Sequence, residues 1–131
     1  MSKGKQEYNC RLEQKLGGGI CFCHFGSIVI AKSVVIGKNA SIHPDVTLGR
    51  VFAGSKKGCP NIGDNVVIFA GAKIVGNIRI GDNAVVGPNA VVIDDVPRNA
   101  VVVGVPAKVV SSDSSRCFNE KWGKSFEHPY Q

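Results

Sequence analysis

Aromatic residues are scarce in this chain of 131 residues, at 7% with one Trp, and Thr occurs once, at Thr47. One domain fits in this length, and a core poor in rings has to be filled with aliphatic side chains. Hydrophobic residues reach 44% beside 16 Gly, which favours small branched side chains in a narrow interior. A single Thr excludes an ice-binding surface built on regular Thr arrays. No apolar stretch approaches the roughly 18 residues of a membrane span. The N-terminal MSKGKQEYNC is polar and lacks the apolar centre of a signal peptide. The five cysteines (Cys10, Cys21, Cys23, Cys59, Cys117) are odd in number and form neither a disulfide framework nor a CxxC motif. A cytoplasmic chain with reduced thiols is the expectation.

Acidic residues are outnumbered, 10 against 16 basic, for a formal charge of +6. The excess lies near the N-terminus (Lys3, Lys5, Arg11, Lys15), in Arg50, Lys56 and Lys57, and in the tail (Arg116, Lys121, Lys124). Such charge suits an anionic ligand, a nucleotide phosphate or acidic glycan, and equally a solvated surface. No basic run is interleaved with aromatics, so nucleic acid is not an expected partner.

What the chain does have is a six-residue period. Ile30, Ile36, Ile42, Ile62, Ile68, Ile74, Ile80, Val86 and Val92 open successive units. Four places after each comes a second apolar column, Val34, Ala40, Val46, Val66, Ala72, Ile78, Ala84, Ala90 and Val96. One place before it stand Ser33, Asn39, Asp45, Asn65, Gly71, Asn77, Asn83, Asn89 and Asp95. A 3.6-residue helix would rotate such a repeat off any fixed face, whereas short strands keep alternate side chains on one side. The β-branched openers suit strands, and Asn, Asp and Gly tolerate the left-handed backbone of a tight corner. Three units then make one coil of a triangular prism, hydrogen-bonded coil to coil.

The frame is interrupted at 49–61 (GRVFAGSKKGCPN), an excursion loop of the kind that commonly carries function. Leu16 and Phe22 continue the frame upstream, with two extra residues before Ile30, and GVPAKVV at 104–110 closes the last coil. The expected layout is a lead-in at 1–15, a β-helix at 16–110 and a tail at 111–131. Phe118, Trp122, Phe126 and Tyr130 of that tail read as a cap on the exposed strand edge or a subunit clamp.

The repeats, with IGDN at Ile62–Asn65 and Ile80–Asn83, resemble the hexapeptide-repeat acyltransferases. CHFGSIVIAKSVVIG, VTLG, the run from Ile62 to Pro97 and GVPAKVV are similar to the catalytic domain of serine O-acetyltransferases. The resemblance runs from about Asn9 to Val110 and has no counterpart of their long helical N-terminal domain. It implies an all-β left-handed parallel β-helix, a homotrimer, and acetyl-CoA as donor. It also implies that His24, followed by Phe25 and Gly26, is the general base that deprotonates an acceptor hydroxyl, work suited to an imidazole.

Where that family has an Asp before the base, this chain has Cys23; a second Asp aligns with Asn9. The loop that ends Arg-His-Pro there ends Gly58-Cys59-Pro60 here. Cys23 and Cys59 thereby become the acceptor-side residues, with the loop end as a wall opposite His24. The loss of charge favours a sugar or polysaccharide-precursor hydroxyl over free serine, the alternative acceptor; a catalytically inactive trimeric scaffold is the further alternative. Ala70, Pro88 and Pro106 recur at intervals of one coil and so are expected to stack on one prism edge, a smooth groove for a pantetheine arm. The resemblance places CoA on that edge, with Ile93 beside it and Lys108 as a phosphate or adenine contact. An open zinc site of the γ-carbonic-anhydrase kind needs three converging His; His24, His43 and His128 lack that spacing, and no metal is expected.

Overall fold

A two-residue strand hides one side chain and shows the other, so a solenoid of such strands is built one inward residue at a time. The computed structural model describes residues 15–16 and 21–22 as strand backbone, and residues 27–118. Sheet A stacks β1 (Lys15–Leu16), β4 (Val35–Ile36), β7 (Asn61–Ile62) and β10 (Arg79–Ile80). Sheet C stacks β3 (Val29–Ile30), β6 (Thr47–Gly49), β9 (Lys73–Val75) and β12 (Val91–Val92). Sheet B holds β2 (Cys21–Phe22), β5 (Ser41–Ile42), β8 (Val67–Ile68), β11 (Val85–Val86), β13 (Val101–Val103) and β14 (Lys108–Ser111). The chain visits A, B and C in rotation. This is the left-handed parallel β-helix that the resemblance implied.

Both apolar columns point inward. Ile30 to Val92 of the opening column are at most 5% exposed, and Val34 to Ala90 of the second column at most 1%. Together they form one core cluster along the axis. Backbone bonds tie coil to coil outside them, as in Val67 N–H to Ala84 O at 3.0 Å and Phe69 N–H to Val86 O at 2.9 Å.

The three corners differ. Asn39, Asn65, Asn83 and Asn99 turn sheet A into sheet B, and Asp45, Gly71 and Asn89 turn B into C, all with φ in the left-handed region. Asn side chains reinforce the A/B corner: Asn83 donates to Asn99 at 3.1 Å and Asn39 to Asn65 at 3.3 Å. Ser33, Asn77 and Asp95, expected in the same role, all lie at the C/A corner and are not among the residues with positive φ. That corner is where the coil length changes. Ile36 pairs with Ile62, well over one regular coil further along the chain, because the excursion loop leaves here. Ile62 pairs with Ile80 at the regular interval of three units.

The last coil is short, and two expectations change with it. Val96 bridges to Ile80 and Val102 pairs with Val86, in both cases two places short of a regular coil. Val96 thus takes the opening column rather than the second one, whose place passes to the buried Ala100. Pro106 therefore drops out of line with Pro88; by the register of β11 and β13, the residue above Pro88 is Gly104. GVPAKVV closes the coil by reversing: β14 runs antiparallel to β13, and the intervening turn bonds to β12 through Val91 N–H to Gly104 O and Ala107 N–H to Val91 O. The antiparallel strand covers the sheet B edge. The tail begins with a 3₁₀ turn, Ser114–Phe118, whose Ser114 N–H bonds to Asn99 O at 2.9 Å. Trp122, Phe126, Tyr130 and the lead-in at 1–14 lie outside the described residues.

Ile68, fully buried mid-core, is expected to cost about 2–5 kcal/mol of stability on Ile68→Ala, read from urea unfolding. Gly81→Ala is expected to destabilise as well, because a Cβ there runs into the Arg98 backbone of the next coil.

Candidate active site along the edge between sheets B and C

Each passage from sheet B to sheet C crosses one prism edge, and backbone bonds stack these crossings. Asp45 N–H donates to Ser27 O at 2.6 Å, Gly71 N–H to Pro44 O at 3.0 Å, and Asn89 N–H to Ala70 O at 2.9 Å. The edge therefore reads Ser27, Pro44, Ala70, Pro88, with Ser27, Ala70 and Pro88 exposed. Ala70 and Pro88 stack as their spacing required. None of the four carries a long side chain, so the edge is smooth.

His24 and Cys23 lie outside the described residues. In the sequence they fall between β2 and β3, and the described chain resumes at Ser27. Ile30 pairs with Leu48 at the regular coil interval, whereas Phe22 pairs with Ile42, two places beyond it, so the two extra residues foreseen before Ile30 fall between Phe22 and Ile30.

The edge has two flanks. On the sheet B side, the outward residue after each inward Ile or Val belongs to one column, His43, Phe69, Gly87 and Val103. His43 Nδ1 lies 2.9 Å from Ile68 O, and a carbonyl oxygen only accepts, so Nδ1 carries the proton. Its ring rests against Phe69 with centroids 4.9 Å apart and planes tilted by 40°. His43 entered the sequence reading only as a rejected zinc ligand; an outward position has no column to flag it. On the sheet C side, Lys73 Nζ donates to Asp45 O at 3.0 Å and Gly71 O at 2.9 Å. That holds an ammonium beside the edge without a carboxylate in either contact.

The excursion loop is at the other end of sheet C. Val51 and Gly58 pair across its base at 3.0 and 2.8 Å. Arg50 donates to Ser33 at 3.0 Å in the coil below, and Lys56 lies 3.8 Å from Asp94 two coils above. Phe52, 79% exposed, stands out from the loop with the Arg50 guanidinium 5.9 Å over its ring.

Cys59 is corrected by this geometry. The bridge at Gly58 returns the chain to the prism, so Cys59 is 8% exposed and belongs to the core cluster rather than to an acceptor-side wall. The loop also leaves from the C/A corner, not from the B/C edge. Of the other expected cofactor residues, Ile93 is 44% exposed but follows β12 at the C/A end of sheet C. Pro106 and Lys108 are exposed in the β13–β14 hairpin. Ala70 and Pro88 alone of that set share the B/C edge. Among the described residues no three His, Cys, Asp or Glu converge as a metal group, and no helix is long and apolar enough to cross a membrane.

Residues 60–94 match the family described as bacterial transferase hexapeptide (six repeats). A serine acetyltransferase of Staphylococcus aureus is 41% identical over 87% of this chain and 51% of its own length. The chain is similar to the serine acetyltransferases over most of its own length. Two solved structures agree: the Neisseria gonorrhoeae serine acetyltransferase in complex with serine (44% identity, TM-score 0.67, 76% of this chain and 40% of that one) and the Brucella abortus enzyme in complex with coenzyme A (37%, 0.72, 77% and 40%). This hexapeptide-repeat chain spans about half the length of the curated relatives it matches.

Burial first, and then the Asp113 carboxylate, hold the Cys117 thiol above its ordinary pKa. At mildly alkaline pH, Cys117 is expected to alkylate more slowly than a free thiol and faster in Asp113→Asn, while Cys59 labels only on unfolding; mass mapping of the labelled sites reads both.

Proposed function

We propose that this chain is an acyltransferase that moves the acetyl group of acetyl-CoA to a hydroxyl, with His24 as general base. The observation that carries the reading is the smooth B/C edge, which begins just after His24, at Ser27, and continues over Pro44, Ala70 and Pro88. An extended pantetheine arm fits such an edge. Lys73 beside it, and Lys108 further along, offer positive charge to the phosphates. His24 takes the proton of the acceptor hydroxyl as its oxygen attacks the thioester carbonyl. The tetrahedral intermediate then expels the CoA thiolate, which is protonated as the ester forms. A backbone N–H is the expected stabiliser of the oxyanion.

We infer a homotrimer with its sites between subunits, a reading supported by the apolar outer face of sheet C. Sheet C presents Val29 and Ile93, 48% and 44% exposed, on its outer face, together with Val75 and Val91, a surface suited to contact between copies.

Serine is the acceptor that the relatives support. A sugar hydroxyl, the acceptor favoured by the sequence, keeps one observation on its side: Gly58 and the buried Cys59 offer no charged side chain to an amino acid where the family has Arg and His. Thiol release from acetyl-CoA, measured with serine and with a panel of sugars and nucleotide sugars, separates the two. His24→Ala is expected to lower turnover by about 10²–10⁴-fold; a His24→Ala enzyme as active as wild type rejects the mechanism. Sedimentation as a monomer rejects the shared site.

A further inference from the structure

We propose that the excursion loop is a docking surface for an acidic polysaccharide, with Phe52 as the platform for one sugar ring and Arg50, Lys57 and Lys32 as contacts for carboxylates. The surface lies at the C/A corner, away from the B/C edge, and does not rest on the acetyl-transfer reading.

Residues 49–61 hold three basic side chains, Arg50, Lys56 and Lys57, and no acidic one. Their backbone forms a pinned hairpin. Val51 and Gly58 exchange both N–H to O bonds, at 3.0 and 2.8 Å, and Lys57 N–H closes the turn on Gly54 O at 3.2 Å. Two bonds from the coil above fasten it to the prism, Gly76 N–H to Gly49 O at 3.2 Å and Asn77 N–H to Lys56 O at 2.8 Å. Side chains alternate along such a strand. Val51 lies over Gly76, where an added Cβ would meet it at 3.4 Å, and Phe52 faces away, 79% exposed. The ring therefore serves no packing in this chain.

One face of the ring is backed by a cation. The Arg50 guanidinium stands 5.9 Å from the ring centroid, and its Nη2 donates to Ser33 Oγ at 3.0 Å, which ties the pair to the coil below. The other face is left to solvent, and an apolar sugar face can lie flat on it. The charges beside it are unspent. Lys56 is drawn to Asp94, 3.8 Å away, but among the described residues no carboxylate pairs with Arg50, Lys57 or Lys32. Lys32 precedes Ser33, the residue that Arg50 holds, so three cations gather at the corner that displays the ring. Arg50 also keeps N–H donors beyond the one on Ser33, in a fork that matches a carboxylate. A saccharide chain bearing carboxylates uses the ring and the cations together. A nucleic acid strand stacks successive bases on successive rings, and this loop offers one. Because the hairpin is fastened at its base and from above, the surface is ordered before a ligand arrives.

The test is equilibrium binding of the whole chain, by calorimetry, to a short oligogalacturonate, to its methyl-esterified form and to polyglutamate. The oligogalacturonate is expected to bind, less tightly as salt rises. The other two, lacking either the charge or the sugar ring, are expected to bind about tenfold more weakly. Phe52→Ser is expected to leave urea unfolding unchanged and to weaken oligogalacturonate binding about tenfold, the scale of one aromatic contact. Lys57→Ala is expected to weaken it about threefold. An oligogalacturonate that does not bind overturns the proposal, and so does Phe52→Ser that binds it like wild type. Polyglutamate that binds as tightly as the sugar overturns it too, because a bare cationic patch then accounts for the affinity. An oligouridylate that binds more tightly replaces it with a nucleic-acid surface, and acetyl-CoA that displaces the sugar places the loop at the donor site instead. None of these readouts uses turnover, so the proposal fails separately from the acetyl-transfer reading.

Discussion

The constraint on which this molecule depends is the register of the coil-to-coil hydrogen bond. A side chain is inside only while its strand sits directly above the strand one coil earlier. A slip by one residue exchanges core and surface along the whole strand. Individual bonds are modest, about 1 kcal/mol net, but every coil must satisfy the same spacing for the core to stay continuous. Left-handed Asn, Asp and Gly fix that spacing at two of the three corners. The backbone bond from Asn83 to Asp64 and the side-chain bond to Asn99 show the device at one level. The C/A corner does not repeat it, since Gly76 has positive φ there but Ser33, Asn77 and Asp95 do not, and there the fold accepts both an inserted loop and a shortened coil without disturbing the core.

Much of this was legible in the sequence because inward positions tolerate few residue types. Ile, Val and Ala recur where the interior admits nothing larger, so strands, columns and two corners could be placed from the letters alone. The errors came where one letter satisfies two positions. Val96 fits either apolar column, and only its bridge to Ile80 reveals that two residues are missing from the last coil. The misplacement of Pro106 follows from the same shift. Cys59 was assigned to a wall because it stands in a loop motif, yet the loop closes one residue earlier, at Gly58, and burial decides its role. His43 was missed for the opposite reason. Its position faces outward, where packing imposes no pattern, and its significance lies in a bond to the next coil that no spacing announces.

The site inherits its geometry from these rules. A solenoid offers ligands its edges, since the faces are narrow and the interior is full. The B/C edge is regular enough to form a continuous groove, and one passage along it, between β2 and β3, is two residues longer than the rest. The excursion loop leaves from the C/A corner, at the other end of sheet C, so there the repeat departs from regularity without touching the edge where Ser27, Pro44, Ala70 and Pro88 stack.

The outward column beside the edge shows why such a fold can change acceptor without changing structure. Phe69, Gly87 and Val103 follow His43 in it, residues of very different size and polarity carried by strands whose inward residues are nearly uniform. Replacing an outward residue leaves the core columns and the corner bonds intact, so the stability that those provide does not restrict the chemistry displayed. Gly87 is held by crowding, since a Cβ there would come within 2.8 Å of Val103; His43 and Phe69 are bound by no such rule. A polar ring whose proton position is set by the Ile68 carbonyl, and whose flank is closed by Phe69, is ordered more tightly than a solvated surface side chain requires.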